Sequence, residues 1–337
     1  MTAPLVLDRL HIEASSRSRA ETGYTIHADH KKSWLDHDLP LPLFRSLLTD
    51  IGAVGEIRFQ GWGDPLANPD ILPMIAAACA TKARVVVVTD AGRFTDEHAN
   101  ALVRDGVAEV LFPLAGLTEE TNFRRRGTSL YMVLDAIRHL RTVRAVHVAT
   151  VPRIGVRYTL TRSGLISECE ALPEFLAQAG IEQARLRPLS YATSPVTERD
   201  TLVPDTPEEY DRLVARLTRL ASQAKARGID LDSRVVHGGQ TRFHCPDTPG
   251  SALFVAADGS VSPCPFRGVP VTPPAGYRFH GQDRPFPHDV RGNLHIESLA
   301  AIWNTPAYQD FRFLHDTDTP PEGCAGCWRS FLATVTV

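Results

Sequence analysis

The chain has 337 residues, 43% hydrophobic and 22% charged, with a formal net charge of -3. That composition fits a soluble protein of one large or two ordinary domains. It gives no electrostatic reason to expect nucleic acid or an anionic membrane as a partner, and no apolar run approaches the ~18 residues a membrane span needs.

The first residues, Met1 to Asp8, lack the basic start and long apolar stretch of a signal peptide, so the expected location is the cytoplasm. In that compartment six cysteines are thiols or metal ligands rather than a disulfide framework. From residue 5 to 190 short apolar strands alternate with amphipathic helices. The strands are predicted at Leu5–Ile12, Glu56–Gln60, Ala83–Thr89, Glu109–Pro113, either Ala145–Thr150 or Val156–Leu160, and Ala184–Pro188. The helices are predicted at Leu43–Ile51, Ile71–Ala80, Thr95–Asp105, Tyr131–Leu140 and Glu168–Ala179. This alternation predicts an α/β fold, a partial (β/α)6 TIM-like barrel with its chemistry at the C-terminal ends of the strands.

Residues 191–207 read as a polar linker, and a strong helix runs from Pro207 to Arg227. From about residue 234 the periodicity fades and Gly and Pro become frequent. Phe254–Ser262 reads as a hairpin turning at Asp258-Gly259. Residues 265–290 read as a long surface loop, and Ile296–Trp303 and Ala307–Leu314 as two short helices. The expected domains are a barrel over 1–200, a linker and helix over 201–233, and a small irregular α+β module over 234–337.

Cys245, Cys264, Cys324 and Cys327 all fall in that last region, the final two as a C-x-x-C pair. A small loop-rich module buries too little apolar area to be stable alone, and four thiolates can staple it through zinc or an iron–sulfur cluster. Spacing does not separate the two. Cys79, in an apolar helix, reads as a core residue, and Cys169, in a helix near a loop, as core or partly exposed.

Cys245, thirteen residues, Gly259, four residues, Cys264, then Cys324-x-x-Cys327 resembles the auxiliary-cluster module of radical S-adenosylmethionine (SAM) enzymes, of the twitch or SPASM type. Gly292-Asn-Leu to Ile302-Trp-Asn304 is similar to a stretch of that module. With four cysteines it is nearer the single-cluster twitch form, and the resemblance implies one auxiliary 4Fe–4S cluster on these four ligands. In the N-terminal half, Gly61-Trp62-Gly63-Asp64-Pro65 resembles the family's Gly-Gly-Glu-Pro motif, which binds the SAM amino group. Asp64 stands where the family has Glu. Thr89 to Gly92 resembles the Thr-Asn-Gly end of the third strand, and Asn122 to Gly127 the Tyr-x-x-x-Arg-Gly segment.

The family's first loop carries Cys-x-x-x-Cys-x-aromatic-Cys, whose thiolates hold the SAM-cleaving cluster. Laid on this chain, those cysteines fall on Ser18, Thr22 and Thr25, while Tyr24 keeps the aromatic position. Hydroxyls are neither ionised nor soft at neutral pH, so the cluster loses its ligands, and with them the low-potential electron that cleaves SAM. SAM or a related nucleoside would still meet Tyr24, Gly61, Gly63 and Asp64. His27, Asp29 and His30 follow the loop, with His11 on the strand before it, and are candidate ligands or acid–base groups. Arg124, Arg125 and Arg126 are candidates to grip an anionic substrate.

Three functions follow from these residues. The first is a degenerate radical SAM-like protein with one auxiliary cluster, serving as partner or scaffold beside an active radical SAM enzyme in a biosynthetic or peptide- or metabolite-modification pathway. The second is an enzyme with new non-radical chemistry in the old cavity. The third is a zinc-stapled binding module. Their substrate is a small molecule or a peptide.

Overall fold

The computed structural model describes residues 5–20, 24–189, 191–237, 245–317, 319–321 and 323–335. The described residues form thirteen strands: β1 Leu5–Ile12, β2 Ile51–Phe59, β3 Arg84–Val88, β4 Glu109–Leu114, β5 Arg153–Leu160, β6 Gln183–Pro188, β7 Asp230–Val236, β8 Ala252–Val255, β9 Ser260–Ser262, β10 Gly276–Phe279, β11 Gln282–Pro285, β12 Gly292–Asn293 and β13 Leu332–Val335. The helices are α1 Ile26–Asp29, α2 Leu41–Thr49, α3 Ile71–Ala80, α4 Asp96–Arg104, α5 Glu119–Arg126, α6 Leu130–Val146, α7 Arg162–Ser167, α8 Leu172–Ala179, α9 Pro195–Glu198, α10 Pro207–Lys225, α11 Leu299–Trp303 and α12 Pro306–Asp316.

Strands β1 to β7 pair in parallel in chain order, and β8 adds in parallel on the far side of β1. Antiparallel strands finish both ends, β9 and β12 beyond β8 and β13 beside β7. Four successive valines in β3 and all six residues of β4 are buried, as expected of parallel strands covered on both faces. The crossover helices start on side-chain caps: Thr95 for α4, Thr118 for α5, Ser129 for α6 and Thr206 for α10. Helix α10 buries Leu213, Leu217, Leu220 and Ala224 as one stripe, and packs on α8 and β7.

The partial barrel and the six β/α units match the expectation, and four details differ. Ala145–Thr150 is not a strand. Helix α6 runs on to Val146 because Val143 continues its buried stripe, and Val156–Leu160 lies within β5. The helix expected over Glu168–Ala179 is interrupted, with Cys169–Ala171 in a 3-10 turn and Pro173 opening α8. Residues 201–233 do more than link, since α10 is the crossover helix into β7, a seventh parallel strand. Residues 265–290 are not a surface loop. Phe266, Val269, Val271, Tyr277, Phe279 and Phe286 are buried there, and β10–β11 forms a hairpin. These side chains build a second core with Ile26 from the first loop, Val236 from β7, and Trp328 and Leu332. The hairpin predicted at Phe254–Ser262 is present, turning through Gly259 at φ +81°. Among the described residues no helix is long and apolar enough to cross a membrane.

Candidate functional site

The C-terminal ends of the parallel strands open into a cavity of about 340 Å³, within the range of small-molecule sites. Side chains alternate across a strand, so every second residue of a barrel strand faces inward. Here the inward rows are polar: Arg9 and His11 on β1, Arg157 and Thr159 on β5, Arg185 and Arg187 on β6. Arg58, Arg126, Arg234 and Arg329 bring the arginines at the cavity to eight among the described residues.

Beneath it lies a charge network. Glu56 accepts from Arg9 at 3.1 Å and pairs with Arg58 at 2.8 Å. Glu109, fully buried, pairs with Arg84 and with Arg185 at 2.5 Å. Arg187 pairs with Asp232. The alternating Arg185-Leu-Arg187, with Arg157 and Arg234 on the neighbouring strands, is the sign in the sequence of a polar barrel interior.

The first loop is held by its own hydrogen bonds. Ser18 Oγ accepts from Ala20 N at 3.2 Å. Thr25 is the N-cap of α1, its hydroxyl accepting from Ala28 N at 3.2 Å. Thr22 lies outside the described residues. Tyr24 donates its phenol to Asp200 at 2.8 Å, and burial together with this bond pushes the phenol up to about 12. Arg19 donates to the carbonyl of Gly92 at 2.7 Å, pinning the loop to the end of β3.

Gly61, Gly63 and Asp64 line the same cavity. A Cβ at Gly61 would fall 2.4 Å from Glu13 Cγ, and one at Gly63 would fall 2.3 Å from the carbonyl carbon of Ser16, so close approach demands both glycines. Asp64 accepts from Leu66 N at 2.9 Å, Asp90 N at 3.0 Å and the Thr89 hydroxyl, tying the end of β2 to that of β3. Burial, with Asp90 alongside, lifts its carboxyl well above the usual range.

The three residues after the loop do not converge. His27 donates to the Ala20 carbonyl at 2.8 Å and packs edge-on against Trp34. Asp29 accepts from Thr193. His30 donates to the Gly276 carbonyl at 3.1 Å. Among the described residues, no three His, Cys, Asp or Glu side chains are grouped tightly enough to hold a single metal ion. The three arginines also separate. Arg124 is exposed beside Glu120, Arg125 is buried on Glu168 and the Ala115 carbonyl, and Arg126 faces the cavity.

Cys245, Cys264, Cys324 and Cys327 are brought together, lining one small cavity with Phe266 and Phe311. Burial and their nearness to other acidic groups push these thiols up, Cys327 to about 11. Arg267 lies 3.8 Å from Cys324 Sγ, and Arg329 lines both this cavity and the barrel cavity. Cys79 and Cys169 lie apart on α3 and after α7.

The model of the radical SAM superfamily matches residues 19–156. That of an iron–sulfur cluster-binding domain, SPASM, matches residues 245–328. The chain carries a radical SAM domain followed by a SPASM domain. The SPASM match covers all four cysteines of that cavity, and the radical SAM match covers β2 to β4 and residues 19–25 of the first loop.

The chain is 23% identical to the tungsten-containing aldehyde ferredoxin oxidoreductase cofactor-modifying protein of Pyrococcus furiosus, across 94% of this chain and 86% of that one. SuiB of Streptococcus suis, bound to S-adenosylmethionine, shares the fold with a TM-score of 0.64 at 14% identity, over 91% of this chain and 68% of that one. SuiB bound to its precursor peptide SuiA superposes with a TM-score of 0.60 at the same identity, over 91% of this chain and 67% of that one.

Proposed function

We propose that this radical SAM-domain protein holds one 4Fe–4S cluster on Cys245, Cys264, Cys324 and Cys327 and does not cleave SAM reductively. It then serves as a partner or scaffold in a biosynthetic pathway that modifies a peptide or a metabolite. The observation that carries this reading is the chemistry at the three ligand positions of the first loop. Ser18, Thr22 and Thr25 offer no thiolate, and the hydroxyls of Ser18 and Thr25 are committed to backbone N–H groups.

The four cysteines suit a cluster. Their donors are soft and they surround one shared space. Arg267 and Arg329 offset the charge of four thiolates, and Phe266 and Phe311 keep water away. When bound, such a cluster supplies a one-electron carrier. In the barrel, Tyr24, Gly61, Gly63 and Asp64 are the residues that SAM or a related nucleoside would meet. An active radical SAM enzyme is the fitting partner, and the relatives named for cofactor modification and for a precursor peptide support a metabolite or peptide as the substrate.

The test is iron, acid-labile sulfide and zinc content of anaerobically purified protein, with a reductant-driven assay for 5′-deoxyadenosine. About four irons per chain and no 5′-deoxyadenosine support the reading. About eight irons, or SAM cleavage, overturn it. Zinc without iron selects a zinc-stapled binding module.

A second reading is an enzyme with new non-radical chemistry in the barrel. It draws on His11, a buried imidazole at the cavity, more than on His27, Asp29 and His30, whose side chains are each engaged elsewhere. Turnover by the purified chain alone selects it.

A further inference from the structure

Five of the eight arginines at the barrel cavity have carboxylates: Arg9 and Arg58 share Glu56, Arg185 has Glu109, Arg187 has Asp232 and Arg329 has Asp247. Arg126, Arg157 and Arg234 have no ion pair among the described residues. The Nε atoms of Arg126 and Arg234 are buried with no hydrogen-bond partner. Arg157 sits among like charges, and burial together with Arg329, Arg126 and Arg187 pushes its guanidinium below its usual range. His11 faces the same space at 6% exposure with neither ring nitrogen bonded to a described residue. The nearby carboxylates offset this charge only at a distance. Asp90 and Asp64 act on Arg126, and Asp232 and Asp247 on Arg234, without forming an ion pair with them. Asp64 is engaged by three backbone and hydroxyl donors, Asp90 by Gly92 N, Asp232 by Arg187 and Asp247 by Arg329.

An unpaired charge removed from water is costly unless something compensates it. Here the surplus is of one sign, is half-buried in the cavity wall, and comes from three separate elements, α5, β5 and β7. From this we infer that the barrel cavity is a receptor for a small polyanion, a molecule bearing two or more phosphate or carboxylate charges. Arg126, Arg157 and Arg234 clamp it, and His11 supplies a further hydrogen bond. Guanidiniums offer paired N–H donors that match either oxyanion. The inference rests on the reading of the barrel as a binding chamber without a first cluster, and adds the class of its occupant. The anion would lie next to Arg329, which also borders the cysteine cavity.

The test uses the full chain, purified anaerobically with its metal, at matched ionic strength. Inorganic pyrophosphate and citrate are titrated separately by calorimetry and by thermal unfolding. One of them is expected to bind at one per chain and raise the Tm; the stronger tells phosphate from carboxylate recognition. Arg157→Gln and Arg126→Gln are each expected to weaken that binding at least tenfold and to raise the Tm of the anion-free protein, because each removes an uncompensated cation. Arg138→Gln, at an exposed ion pair on α6, is expected to change neither.

Failure of both anions to bind overturns the proposal, as does equal binding by both cavity variants. A fall in anion-free Tm for both variants would also overturn it, since it would mean the two guanidiniums stabilise the fold. Iron content is read on the same samples. Four irons with no anion binding defeats this inference alone, whereas eight irons with anion binding defeats the single-cluster reading alone.

Discussion

Arg329 ion-pairs with Asp247, and its side chain lines both the barrel cavity and the cysteine cavity. The contact joins the segment after Cys327 to the segment after Cys245, and places a compensated charge in the wall between the two sites. Asp247 is only 5% exposed, and Arg329 with His11 as neighbours holds its carboxyl below the usual range. Arg329→Met should therefore strand a buried carboxylate and destabilise the fold by about 3–5 kcal/mol. Adding Asp247→Asn should recover much of that loss. Urea unfolding of the two variants checks this; equal instability in both would show that the pair itself is unimportant.

Glu13 gives the fold a pH dependence. Its carboxylate joins β1 to the Gly61 loop and to the β8–β9 hairpin, accepting from Trp62 N at 2.7 Å and Ala257 N at 3.3 Å. Burial pushes it up to about 7 from an ordinary value of 4.5. Between those values the folded chain holds a proton that the unfolded chain has released. The contribution is therefore full below 4.5 and is lost as pH rises towards 7, a change of about 3 kcal/mol. Glu13→Gln keeps an acceptor and cannot ionise, so the variant should lose less stability than the native chain between about pH 5 and about pH 8. Identical slopes in denaturant titrations would refute this.

The first loop can be tested by reversal. Ser18→Cys, Thr22→Cys and Thr25→Cys together supply the three soft ligands that the family pattern requires. Iron content after anaerobic reconstitution should rise from about four to about eight per chain. Thr25→Ala alone should lose the cap of α1 and cost up to about 1 kcal/mol, with iron unchanged. If the triple variant gains no iron, the loop has lost more than its ligands.

For the auxiliary site, Cys264→Ser should remove most of the iron and the visible absorbance, because Cys264 lines the shared cavity between β9 and the following 3-10 turn. Cys79→Ser, on α3 and away from that cavity, should leave both unchanged. Equal iron in the two variants would mean that the cluster ligands lie elsewhere.

Local sequence already carried much of this protein. Alternating apolar runs and capped helices specify the parallel strands and crossovers, because period and capping are properties of neighbouring residues. The C-x-x-C pair, the Asp258-Gly259 turn and the missing loop cysteines can likewise be read in the linear chain. Tertiary structure decided what depends on closure. Residues 265–290 read as a surface loop because their aromatics have no period, yet Phe266, Tyr277 and Phe286 find a core only when Ile26, Val236 and Trp328 arrive from distant segments. Residues 201–233 read as a linker and a helix, and the helix becomes a crossover only when β7 finds β6. Arg157, Arg187 and Arg234 read as charges scattered along strands. The curvature of the sheet turns them toward one cavity, where Arg187 finds Asp232 but Arg157 and Arg234 form no ion pair with a described residue.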